Sequence, residues 1–160
     1  MKTISIKVSE ANNTQLDWLM AKCEGLPIRR DPMAFGVSSA NGGYWVWDET
    51  PSGRMSRIGK EYSPTNDPAL MWPITHRAKI ATRPAVGRHA PADGWQATTW
   101  PTLDWPHQGE TSLVAAARCH ITSTLGPVVD VPIDLIEIAP QVSQDQSAAD
   151  EQTADPAPGH

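Results

Sequence analysis

The chain is poor in the residues that organise several protein classes. Only two cysteines occur in 160 residues, Cys23 and Cys119, and neither stands in a CxxC pair or at ligand spacing from a histidine. Neither a disulfide framework nor a zinc module is indicated, and two reduced thiols within helices are expected instead. Charge is sparse, at 19% of residues. No apolar run reaches the length of a signal-peptide core or a membrane span, which predicts a cytoplasmic protein. A clustered basic face is missing as well. Net charge is −5, but four of the 18 acids (Asp145, Asp150, Glu151, Asp155) fall after Ala139, where there is no Lys or Arg, leaving 14 acids against 13 basic residues. A protein that neutralises several phosphates of a nucleic acid concentrates Lys and Arg on one surface. The short pairs around Arg29-Arg30 and Arg77-Lys79 do not amount to that and read as solvated surface.

Proline and tryptophan are abundant, with 15 and 7 residues. So much proline commits a large part of the backbone to turns and irregular connections. The length suits one domain, expected over residues 1–138. The Ala/Gln/Ser/Asp/Pro-rich stretch 139–160 has almost nothing to bury and is expected to be a disordered acidic tail.

Met1 to Ser9 alternates, with Ile4, Ile6 and Val8 on one face, and predicts a half-buried strand. A helix follows: Asn13 or Thr14 can cap it, Leu16, Leu19, Met20 and Cys23 recur at helical spacing, and Gly25 can close it. Leu26 to Asn41 reads as loop. Gly42 to Glu49 reads as a strand with Tyr44 and Val46 on one face and Trp45 and Trp47 on the other, and a turn-rich passage through Pro51, Gly53 and Gly59 comes next. Ser63 to Trp72 predicts a short helical turn that Asn66 or Asp67 caps and Pro73 stops, with a strand from Ile74 to Thr82. Arg83 to Gln108, rich in Pro, Gly and Trp, reads as one long connection. Gly109 to Gly126 predicts the second main helix, with a core stripe of Leu113, Val114, Ala117, Ile121 and Leu125. Its other flank, Ser112, Ala115, Cys119 and Ser123, is small, so both faces should be covered, first by the Trp-rich connection and second by another copy of the chain. Val128 to Ile138 can supply an edge strand, given Pro132. The fold class predicted is α+β: a small sheet of short strands packed with two main helices, long Pro/Trp-rich loops and the tail.

Three segments carry a family resemblance: Leu16-Asp-Trp-Leu-Met-Ala-Lys-Cys-Glu-Gly25; Tyr62-Ser-Pro-Thr-Asn66 with Pro73-Ile74 downstream; and Gly109-Glu-Thr-Ser-Leu-Val-Ala-Ala-Ala-Arg-Cys119 followed by Leu125-Gly126. In order and spacing they resemble the phage NinX-like family of small proteins, over about residues 1–138. The resemblance implies a bacteriophage or prophage origin and an accessory role in the host cytoplasm; none of its motifs is a catalytic signature. After Asn66 the chain departs from the pattern, reading Asp67-Pro-Ala-Leu-Met-Trp72 where members often have Trp-Ala-Gln-Gly-Gly.

Catalytic, metal and cofactor signatures are absent from the text. Arg118 and His120 flank Cys119, but neighbours on a helix point about 100° apart and cannot pair as nucleophile and base. His76, His89 and His107 are scattered without ligand spacing. The expected site is instead one for a small nucleotide-like ligand. Its aromatic part would stack on Trp47 or Trp95, and its anionic part would meet backbone donors at the helix starts Thr65-Asn66 and Gly109 with Thr111-Ser112. Rival readings are a protein-interaction module acting through exposed Trp and the small helix flank, and a hydrolase built on Asp93, Asp104 and Glu110.

Overall fold

The computed structural model describes residues 2–30, 43–47, 53–87, 93–102 and 104–135. The tail, His89 and the outer parts of the predicted loop and strand around 31–42 and 48–52 lie outside them.

The first helix, α1, runs Asn13–Cys23. Its cap is Asn12, one residue earlier than expected. The Asn12 side chain accepts from the Gln15 amide while the Gln15 side chain accepts from the Asn12 amide, each at 2.9 Å, which satisfies two donors that a helix start otherwise leaves open. Gly25, at φ +68°, takes the left-handed conformation that ends the helix. Leu16, Leu19 and Met20 are fully buried, as their spacing required.

The residues expected to form a short turn and then a strand form one helix, α2, Pro68–Ala78. Asp67 caps it, accepting from the Ala69 amide at 3.0 Å, and Pro68 takes the first turn. Pro73 does not stop it. Proline inside a helix removes one hydrogen bond and crowds the carbonyl four residues back. Here Met71 and Ile74, on either side of it, are both buried in the core, and that burial holds the chain helical until Lys79 caps the end at φ +56°. The predicted strand therefore begins at Ile80, not Ile74. The third helix, α3, runs Ser112–Leu125, starting three residues later than expected; Gly109 belongs to a strand.

Eight strands form three antiparallel sheets among the described residues. β1 (Thr3–Lys7) pairs with β8 (Val128–Pro132), so the two ends of the described chain close on each other, Ile4 opposite Val131. β2 (Ile28–Arg30), β3 (Tyr44–Trp47) and β4 (Met55–Arg57) form the second sheet. β3 keeps the predicted alternation: Tyr44 and Val46 are buried, Trp45 and Trp47 half-buried. β5 (Ile80–Pro84), β6 (Trp95–Thr99) and β7 (His107–Gly109) form the third; β5 takes up the end of the predicted strand, while β6 and most of β7 come from the stretch read as a long connection. β2 and β4 likewise fall in stretches read as loop and turn. Strands of three residues carry too little alternation to be seen from sequence.

The fold is α+β, with three helices rather than two principal ones. Its larger core joins Leu16, Leu19, Met20, Tyr44, Met71, Val114, Ala117, Ile121 and Val131. Trp18 belongs to it, 7% exposed and edge-on to Tyr44 with ring centres 6.5 Å apart. A smaller core holds Ala97, Ala115 and Cys119, with Ile80 and Trp95 packed against it. α3 thus buries two faces, and Ala115 and Cys119 of its small flank lie under the β5–β6–β7 sheet, while Ser112 is half-buried and Ser123 exposed. The Trp-rich stretch covers that middle part of the flank, as expected, but as strands. Two members of the predicted stripe depart from it: Leu113 is half-buried and Leu125 is 36% exposed.

Candidate functional site

β7 reaches the start of α3 closely enough that only glycine fits at their meeting point. A Cβ on Gly109 would lie 2.5 Å from the Ala115 amide nitrogen and 2.9 Å from Val114 Cγ1. Gly109 pairs across the sheet with Trp95. The two predicted site residues are thereby brought together, and they line a hollow of about 310 Å³ with Asp93, Gly94, Gln108, Glu110 and Arg118.

Arg118 was read from sequence only as a flank of Cys119. Its signal was that of the sole long charged side chain inside α3. It ties three elements together: Nη1 donates to the Gln108 carbonyl at 2.8 Å and Nη2 to the Ala11 carbonyl at 3.0 Å. Nε is buried and has no hydrogen-bond partner. Burial works against the charged form of this guanidinium, and the nearby Glu110 carboxylate works for it. Arg118 and Gln108 also line a second hollow, of about 380 Å³, with Ser9, His107, Thr122 and Pro127. Burial lowers the pKa of His107, favouring its neutral imidazole.

The other predicted residues are elsewhere. Ser112 lines a third hollow, of about 240 Å³, with Pro68, Met71, Trp72, His76 and Leu113. Trp47 stands on β3 with the Arg29 guanidinium 5.4 Å above its ring. Trp45 and Trp105 are covered alike, by Arg57 at 5.0 Å and Arg83 at 4.2 Å. Among the described residues no cation lies over Trp95.

The helix-start donors are engaged within the chain. The Thr111 hydroxyl accepts from the Val114 amide at 3.2 Å, as Asp67 does from Ala69. Thr65 is buried and bound to Asp17: its amide donates to Oδ1 at 3.0 Å and its hydroxyl to the same oxygen at 2.9 Å. Ser63 donates to Oδ2 at 2.6 Å, and the Asn66 side-chain amide donates to Ser63 Oγ at 2.9 Å. Asp17 is fully buried between Leu16 and Trp18, and desolvation pushes its pKa up to about 6 against these hydrogen bonds, which lower it. The network fastens the 63–66 turn to α1.

Burial pushes both thiols, Cys23 and Cys119, up to about 11, against the reactive thiolate form. Cys23 is half-buried and Cys119 buried, both free. His120 meets Glu24 at 3.1 Å, and Arg77 meets the other oxygen of Glu24 at 2.5 Å, joining the ends of α1 and α2 to α3. Among the described residues no three His, Cys, Asp or Glu side chains gather as metal ligands would. No helix there is long and apolar enough to cross a membrane.

The family model described as Bacteriophage P22, NinX matches residues 7–124, a span that includes all three helices except the last residue of α3. The chain belongs to this phage NinX family. Comparison with curated proteins finds no match.

Proposed function

We propose that this protein is a phage accessory protein that binds, without chemically altering, a small nucleotide-like ligand in the hollow beside Trp95, acting in the host cytoplasm by sequestering it from host antiviral signalling. The observation that carries this reading is that a half-buried indole and a half-buried arginine, Trp95 and Arg118, line one hollow of about 310 Å³. That volume lies at the small end for ligand sites, which suits one base or nucleoside. Trp95 offers a flat surface for a base, and the rim carboxylates Asp93 and Glu110 offer acceptors for its amino groups or for ribose hydroxyls. Trp47 is the weaker platform, since Arg29 already covers its ring.

The test is calorimetric titration with a panel of nucleosides, nucleotides and cyclic nucleotides, followed by chromatography of the recovered ligand. Binding with intact recovery is expected, and Trp95→Ala should weaken it roughly tenfold, given about 1–3 kcal/mol for stacking a base on an aromatic ring. Binding that Trp95→Ala leaves unchanged refutes the site, and conversion of the ligand refutes sequestration.

A second reading, a module that modulates a host or phage enzyme, is favoured by two indoles that no fold requirement explains: Trp72 is 73% and Trp100 68% exposed. The small flank of α3 lends it little, since Ala115 and Cys119 at its centre are buried under β5–β6–β7. Silence across the ligand panel would favour this reading.

A further inference from the structure

A half-buried cation is costly to leave without a counter-charge, and Arg118 has none at ion-pair distance among the described residues. Its two bonded groups are carbonyls, which are neutral, and its Nε is unpartnered. Arg118 lines two hollows, which differ in their other residues. The one beside Trp95 carries Asp93 and Glu110, which repel an anion. The one beyond Arg118 has no acidic residue in its lining, which includes Ser9, Thr122 and His107. Hydroxyls, a neutral imidazole and a guanidinium are the donor set that phosphate oxygens use, and charge-assisted bonds to them are the strong ones.

We infer that the hollow formed by Ser9, His107, Thr122 and Arg118 is a phosphate-binding site, taking the phosphate group of the same ligand whose base rests on Trp95. This rests on the reading above for the base, but not for the phosphate pocket itself. The ligand class narrows to a nucleoside phosphate, with Arg118 between its two halves. The anionic part sits at β7 and the Val8–Glu10 turn, away from the self-capped starts of α2 and α3.

The experiment uses the full chain and three probes: inorganic phosphate, a nucleoside, and the matching nucleoside monophosphate, each titrated by calorimetry, with ³¹P line broadening for the phosphates. Wild type is expected to bind the monophosphate roughly tenfold or more tighter than the nucleoside, the size of effect that hydrogen bonds to a charged group confer. Arg118→Met should abolish that preference. Because Arg118 also holds Ala11 and Gln108, Thr122→Val and Ser9→Ala serve as variants that leave those contacts in place, and each should reduce the preference while leaving nucleoside affinity unchanged. Phosphate binding that depends on Thr122 and Ser9 but survives Trp95→Ala supports the pocket even if no nucleoside binds. Equal affinity for nucleoside and monophosphate overturns the inference and leaves the Trp95 site standing. A phosphate preference indifferent to Thr122→Val and Ser9→Ala overturns it too.

Discussion

Lowering the pH from neutral should make the protein more resistant to urea through one side chain, Asp17. This carboxylate is fully buried, and the removal of water outweighs the three hydrogen bonds it accepts from Ser63 and Thr65, raising its pKa from 3.8 to about 6. In the window between those values the folded protein holds the proton and the unfolded chain has released it. Stability therefore falls as pH rises through the window and levels off above the folded value. At 1.36 kcal/mol for each factor of ten, the full difference comes to about 3 kcal/mol, of which about 2 kcal/mol falls between about pH 4.5 and 7. The perturbation that isolates it is Asp17→Asn, which keeps the size of the side chain and removes the titration. Urea unfolding followed by Trp fluorescence at several pH values, for both proteins, gives the answer by difference, because the remaining carboxylates titrate alike in each. The gap between wild type and variant should shift by about 2 kcal/mol in favour of wild type on going down to about pH 4.5. Parallel curves across the window would refute the argument, and so would a gap of opposite slope.

Gly109→Ala places a methyl group 2.5 Å from the Ala115 backbone nitrogen, which cannot swing aside, so β7 must move off α3. A loss of about 2–3 kcal/mol is expected, read as a fall in Tm, and Trp95, which pairs with this residue, should be displaced with it. Cys23 and Cys119, both pushed up to about 11, should label slowly with a thiol reagent in the native protein at about pH 8 and completely after unfolding; rapid native labelling of Cys119 would contradict its burial. Pro73→Ala restores a helical amide opposite the Ala69 carbonyl at an exposed position and should stabilise the fold by about 1 kcal/mol, seen as a higher urea midpoint.

Elements that carry their own signal were legible in the sequence. α1 has period, closing glycine and a capping residue within one position of the expected one; α3 has its small flank and Gly126; β1 has alternation; β8 has a proline only an edge tolerates. What was missed depends on contacts across the chain. α2 passes Pro73 because Met71 and Ile74 are held from outside the helix, and β6 is a strand because β5 and β7 flank it, which Trp95 to Thr99 alone cannot reveal. For the site, Trp95 and Gly109 were each visible, but their adjacency is a matter of register between β6 and β7. The donors at Thr65 looked open only because their acceptor, Asp17, lies 48 residues upstream. Arg118 gave the faintest hint, one long cation in a run of alanines.

The guanidinium groups laid over Trp45, Trp47 and Trp105 also bear on how the protein behaves at high concentration. Half-buried indoles left bare are adhesive, and three of them invite copies of the chain to clump. A fixed positive charge above each ring forces any approaching copy to strip water from a cation before it can touch the apolar face, so these three rings stay non-sticky while Trp72 and Trp100 remain exposed. Exchanging these arginines for alanine should therefore show first as turbidity, before any change in the unfolding curve.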